Sequence, residues 1–276
     1  MELNAVSLIA RQEMTVCSRS RWLVGFAAVF GMLSLAIAYF GTVTAGSAGI
    51  QGFERTAASM VSLVLYLVPL LGLMLAGFHI STERPENELL FSQPVERRDI
   101  LFGRLLGMFA TMSVAIAAGF GLSGGVILAE TGPEGVLRFL GVIGLTLLLS
   151  AVFLGMGAAI GLMSKSRAQA LGAALGAWFF FVIFYDLAVM GMTFVLRERT
   201  ANNMIFLSLF GNPVGLARVL SLTTLSDPAI FGPAGAALLK FLGGTVQAYA
   251  ALTIGLCAWI IAPLALAARM IRRIDL

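Results

Sequence analysis

Charge is what this sequence has least of. Asp, Glu, Lys and Arg make up only 12% of its 276 residues, against about 25% in soluble domains. Apolar residues reach 59% and mean hydropathy is +0.96, which predicts an integral membrane protein rather than one soluble core. Histidine is reduced to His79, and cysteine to Cys17 before the first apolar run and Cys257 inside the last. Cysteines so placed imply neither a disulfide framework nor a metal cluster. The G-x-x-x-x-G-K-[ST] phosphate loop is missing, so the chain is not expected to hydrolyse ATP itself. With no H-E-x-x-H, no C-x-x-C and no second histidine, a membrane enzyme has almost no candidate residues. A conduit, a coupler or a scaffold is left.

What is present comes in long apolar runs. About 20 apolar residues cross the hydrocarbon, and by that measure spans are predicted at 22–42, 57–80, 105–129, 139–163, 170–196 and 249–268. Residues 1–21 form a weakly amphipathic segment, with Leu3, Val6, Ile9 and Ala10 on one side and Arg11, Arg19 and Arg21 on the other. This reads as a helix lying in the membrane interface. The run after Arg21 is too long for a signal peptide's apolar region and lacks a convincing cleavage site. The fold class is therefore all-α: one membrane domain over 1–276, with an interfacial helix and six spans. The chain has 18 basic residues, net charge +4 and pI near 9.5, a balance that in a soluble protein would suggest nucleic acid. Here the basic residues border apolar runs, so lipid and not nucleic acid is the expected surrounding. Twelve of the 18 fall in the N-terminal segment, the 81–104 interval, the 164–169 turn and the C-terminal tail. The positive-inside rule then puts both termini and the 81–104 interval in the cytoplasm.

That interval, STERPENELLFSQPVERRDILFGR, carries nine charged residues. Leu89-Leu90-Phe91 is an apolar patch between charged ends, and Pro94 breaks the helix to which it would belong. It is either a handle for a cytoplasmic partner or an ordinary solvated loop. On the opposite side, 43–56 and 130–138 are short connections, whereas 197–248 is long. Asn212-Pro213 and Asp227-Pro228 mark turns, with short amphipathic helices predicted at 214–222 and 234–242. The long loop is a place for an outside partner or a lid packed on the spans.

Within the spans, Gly157 with Gly161 and Gly172 with Gly176 have the four-residue spacing that lets helix backbones approach closely, within one subunit or between two. Pro69 predicts a kink. Asp186, after Tyr185, is the only carboxylate well inside a span. It must face protein or water, with Tyr185 or a backbone group as partner, and serves either a substrate or proton site or a structural anchor. His79 lies near a span end where it is expected to reach water. Met190, Met192 and Met204 could offer thioethers to Cu(I), but methionines in so apolar a chain are packing residues first.

The run Glu83-Arg84, Glu86, Glu88-Leu89-Leu90, then Pro94, Arg97 and Gly103-Arg104, resembles the cytoplasmic coupling loop of type-2 ABC-transporter permeases. Ile9–Met14, Arg19–Val24 and Ser164–Ala170 look like the same family's other cytoplasmic pieces. The resemblance implies a homodimer on two separate ATPase subunits, with ATP and Mg bound there and no cofactor on this chain. It implies ATPase coupling through Glu83, Arg84, Glu86, Leu89, Leu90, Phe91, Pro94, Arg97, Gly103 and Arg104. It also implies residence in the bacterial inner membrane. Tyr185-Asp186-Leu187 and the run Asn212, Pro213 to Leu222 are similar to members of the family encoded with nitrous oxide reductase maturation proteins. In those, a periplasmic solenoid docks outside, here expected at Asn212, Pro213 and Arg218, and the family role is assembly of copper–sulfur centres. A permease exporting a drug, peptide or lipid, and a secondary transporter or scaffold without ATPase, are the alternatives. Asn87-Glu88 departs from the family's frequent Gly-Thr, and His79 from an acid.

Overall fold

The computed structural model describes residues 3–45, 50–81, 96–195, 198–225 and 232–272. Every regular element among them is helical, and six helical segments are long and apolar enough to cross a membrane. They are Arg21–Gly41, Thr56–Ile80, Arg97–Gly125, Arg138–Met163, Arg167–Phe194 and Thr245–Met270, spans one to six below. The protein is thus a multi-pass membrane protein. Glu83, Arg84, Glu86, Leu89, Leu90, Phe91 and Pro94 lie outside the described residues.

Glycine decides which spans lie closest. A Cβ on Gly157 would stand 2.7 Å from the Leu73 carbonyl oxygen and 2.9 Å from Ala76 Cβ; one on Gly161 would stand 3.0 Å from Gly77 O. The Gly157/Gly161 pair therefore presses span four onto span two within one chain. Gly72 completes the contact from the other side, against Phe153. Gly172 and Gly176 behave differently. Both are exposed, and a Cβ on either meets nothing within 4 Å. Span one packs on span three where Phe30 stands edge-on to Phe120 over Gly119. Pro69 sits inside the continuous second-span helix Ile50–Ile80.

The reversal between spans three and four corrects one expectation. Residues 130–138 were expected to leave helical structure, yet helical backbone runs from Arg97 to Met163. It is not a straight rod. Nineteen residues of straight helix would separate Phe120 from Phe139 by about 28 Å, whereas their rings stand 5.4 Å apart. The chain doubles back while keeping helical bonding, which leaves fewer backbone groups to be satisfied at the turn.

The N-terminal helix, Leu3–Ser18, buries Val6, Ile9, Glu13 and Cys17. These four share a face by their spacing. Of the expected stripe, Val6 and Ile9 are buried and Ala10 is partly so, and the buried face continues to Glu13 and Cys17. The helix lies on the start of span three, where Gly103 and Gly107 make room for it. A Cβ on Gly103 would meet Ile9 Cβ at 2.9 Å, and one on Gly107 would meet the Ala10 carbonyl oxygen at 2.5 Å. We expect Gly107→Leu to lift this helix off span three while the six spans remain inserted. Limited proteolysis of the purified protein would then cut within residues 3–18, where the parent chain resists.

After span five come three short helices: Glu198–Leu209, Pro213–Leu225 and Gly232–Leu242. The second is buried along most of its length, packed against spans two and six and the span three–four hairpin. Its N-terminus is built by Asn212 and Pro213. The Asn212 side-chain oxygen accepts from Val214 N at 3.0 Å, and Pro213 occupies a first-turn position that needs no N–H. At its C-terminus, Arg138 donates to Leu225 O at 2.8 Å and the Tyr249 hydroxyl donates to Thr223 O. A helix end shut away from water requires such partners. The third helix stops at Gly243 and Gly244, whose φ values of 90° and 128° suit glycine, and Gly244 N returns to Leu239 O at 2.8 Å.

Candidate functional site

Two polar constellations stand out in this apolar frame, one in span five and one at the base of spans two and three. The first is centred on Asp186, eight residues or about 12 Å of helix from the end of span five at Phe194. Its expected partners were Tyr185 or the backbone. The structure gives it Arg218 instead: Nη1 stands 2.7 Å from Asp186 Oδ2. Asn212 adds a bond from Nδ2 to Asp186 Oδ1 at 3.4 Å. Tyr185 points elsewhere, donating from its hydroxyl to Ser208 O at 2.6 Å.

The local backbone explains how Asn212 reaches span five. Residues Phe180–Phe184 form a π-helical turn, in which Tyr185 N bonds back to Phe180 O, one residue beyond the α register. The Phe181 carbonyl accepts from Asn212 Nδ2 at 2.9 Å. Phe181 also packs edge-on against Trp259 of span six, whose Nε1 donates to Phe210 O at 2.9 Å. Asn212 is therefore a three-way junction: it caps its own helix, holds the π turn and steadies the carboxylate.

A cavity of about 360 Å³ opens beside the pair, lined by Tyr185, Asp186, Met190, Ser208, Asn212 and Arg218. The side chains of Arg218 and Asp186 are 35% and 41% exposed. An ion pair facing such a space can rearrange around a small polar ligand or exchange partners when the helices move. Asn212 and Pro213 are buried; of the three residues expected to meet an outside partner, Arg218 alone has substantial accessible surface. Met190, Met192 and Met204 are all exposed, and Met190 lines the cavity.

The second constellation lies where the 81–104 interval joins the bundle. Arg97 is half-buried at the first turn of span three. Asp99 is buried in that turn, where a carboxylate complements the helix dipole. Gly103 and Arg104 face inward. Arg104 Nε stands 3.6 Å from Glu13 Oε2, and Nη1 reaches His79 O at 3.5 Å. His79 does not reach water: it is 4% exposed, with Nδ1 2.8 Å from Glu13 Oε1. A histidine ending an apolar span was expected to snorkel, but Glu13 of the N-terminal helix covers it. Glu13 was not singled out in the sequence, because no local signal ties it to a residue 66 positions away.

The chain matches the model of the ABC-2 family transporter protein over residues 7–276. It is 32% identical over 277 aligned positions to a Pseudomonas aeruginosa protein described as "Probable ABC transporter permease protein NosY", covering 98% of this chain and 99% of that one. A Stutzerimonas stutzeri protein with the same description is 31% identical over 281 positions, with the same coverage of both chains. Six apolar spans and a family match over nearly the whole length lead to one assignment: the chain belongs to the ABC-2 family, as the permease subunit of an ABC transporter.

Proposed function

We propose that this permease, like the NosY-named proteins to which it is similar, is the membrane subunit of an ABC transporter, and that this transporter serves copper–sulfur site assembly in nitrous oxide reductase, the role implied by the resemblance at Tyr185-Asp186-Leu187 and Asn212 to Leu222. The near-full-length likeness to two proteins described as NosY permeases is the observation that supports this reading. Two copies of the chain sit on two ATPase subunits in the bacterial inner membrane, with both termini and the 81–104 interval in the cytoplasm. ATP and Mg act on the ATPases. The open face of span five, with Gly172 and Gly176, supports a contact between copies. A periplasmic solenoid partner docks on the helices between spans five and six, with Arg218 the accessible member of the set Asn212, Pro213 and Arg218.

The mechanism follows from how the parts are joined. Leu89, Leu90 and Phe91 anchor the loop in a groove of the ATPase, Glu83, Arg84, Glu86 and Arg97 orient it, and Pro94 sets its angle. When ATP draws the ATPases together, the pull enters spans two and three at once. Arg104 and Gly103 pass it to the N-terminal helix, whose Ile9 and Glu13 rest on them. The glycine contacts carry it from span two to span four, and Trp178 Nε1 to Tyr66 O at 2.9 Å ties span two to span five. Span five then acts on the outer helices through Asp186, Arg218 and Asn212.

The test is Leu90→Asp combined with Phe91→Asp. Membrane insertion is expected to be unchanged and co-purification of the ATPase to be lost; undiminished ATPase yield rejects the coupling assignment. Deleting the gene separates the substrate readings. Copper-deficient nitrous oxide reductase supports assembly of that enzyme, and a fully loaded enzyme points to export of another substrate.

A further inference from the structure

Glu13, Cys17 and His79 bring three different metal-binding atoms to one buried point. Glu13 and Cys17 are one helical turn apart on the N-terminal helix and so share a face; His79 comes from the end of span two. All three are less than 7% exposed. His79 Nδ1 lies 2.8 Å from Glu13 Oε1, and Cys17 Sγ lies 3.7 Å from each of those atoms. We propose that this cluster is a binding site for a borderline divalent cation of the zinc type, independent of the transport cycle proposed above.

The donor spacing is close to what such an ion needs. With bonds of about 2.0 Å to nitrogen and oxygen and about 2.3 Å to sulfur, tetrahedral donors stand roughly 3.3–3.6 Å apart. The two sulfur distances are already within about 0.2 Å of that range. Only the imidazole and carboxylate must part, by about half an ångström. Donor type favours the same ion. A thiolate and a carboxylate offset the charge of a divalent cation, which lowers the cost of burying it. Cu(I) prefers thiolate and thioether to a carboxylate.

Two further features belong to a built site. Arg104 stands behind the ligands, 3.6 Å from the second carboxylate oxygen of Glu13 and 3.5 Å from the His79 carbonyl. It can fix the carboxylate as outer-sphere partners do. A largely apolar cavity of about 370 Å³, lined by Ser20, Arg21, Trp22, Met74, Phe78 and His79, lies beside the cluster. A bound ion would fasten the N-terminal helix to span two, immediately before the interval that joins spans two and three.

The full chain, purified in detergent and stripped with chelator, is reloaded with Zn²⁺, Co²⁺ or Cu(I), desalted and assayed for metal. One Zn²⁺ per chain is expected, and Co²⁺ should give a thiolate-to-cobalt charge-transfer band. Cys17→Ser should abolish that band, and Cys17→Ser or His79→Gln should weaken Zn²⁺ binding by more than the ~10–100-fold that loss of an outer partner causes. Cys257→Ser should retain full loading. Wild-type chain that keeps neither Zn²⁺ nor Co²⁺ in stoichiometric amount overturns the site, however the variants fold. So does undiminished Zn²⁺ binding by both ligand variants, and loading by Cu(I) alone rejects the divalent assignment.

Discussion

Gly157→Leu is expected to prevent the bundle from assembling, whereas Gly172→Leu should leave each subunit folded. At Gly157 even the first carbon of a side chain would come within 2.7 Å of Leu73 O and 3.0 Å of Gly72 O. Both obstacles are backbone, so no rotamer change relieves them. Spans two and four would have to separate along a contact that buries Leu73, Ala76, Phe153 and Leu154. Overpacking a core costs about 1–3 kcal/mol where side chains can yield, and a clash with backbone belongs at or above the top of that range. At Gly172 an added carbon meets nothing. Detergent-solubilised yield and the thermal midpoint of each variant decide the matter. Equal losses at the two positions would mean that the span two–four contact has no special closeness. A Gly172→Leu chain that is folded but no longer dimeric would place the contact between copies on span five.

Asp186→Asn should destabilise the protein more than Asp186→Asn combined with Arg218→Gln. Removing the carboxylate alone leaves the Arg218 guanidinium without its 2.7 Å partner beside an apolar span. On insertion scales an uncompensated charge at mid-membrane costs about 2.5–3.5 kcal/mol, an upper bound here because both side chains reach a cavity. The double change removes the second charge too and should recover most of the loss, because Asn212 still bonds Phe181 O. Thermal unfolding of both single variants and the double variant gives the coupling directly. If the two single losses simply add in the double variant, Asp186 and Arg218 act independently and the pair does not tie span five to the outer helices.

The spans could be read from the sequence because their signal is local: about 20 apolar residues in a row need no knowledge of the rest of the chain. The Gly157 and Gly161 spacing was legible for the same reason, and the structure shows which span it serves. Long-range pairs were not. Asp186 and Arg218 are 32 residues apart in segments of different character, and nothing in the intervening sequence says that the second helix of the loop folds back against span five. One signal was available. Asn212-Pro213 was read as a turn, but asparagine before proline is also a helix cap followed by a favoured first residue. Glu13 and Cys17 were hidden more deeply, because their burial depends on a histidine that meets them only after span two has crossed.

The helix Pro213–Leu225 has 13 residues and is therefore about 20 Å long, well short of the roughly 30 Å of bilayer hydrocarbon. It has no stable existence as a crossing of its own. Its carbonyls are met by Arg138 and Tyr249, which come from the span three–four hairpin and from span six. Because span six is made after this segment, the C-terminal end of the helix gains its Tyr249 partner only once span six has been synthesised, and the helix is fully settled no earlier than that.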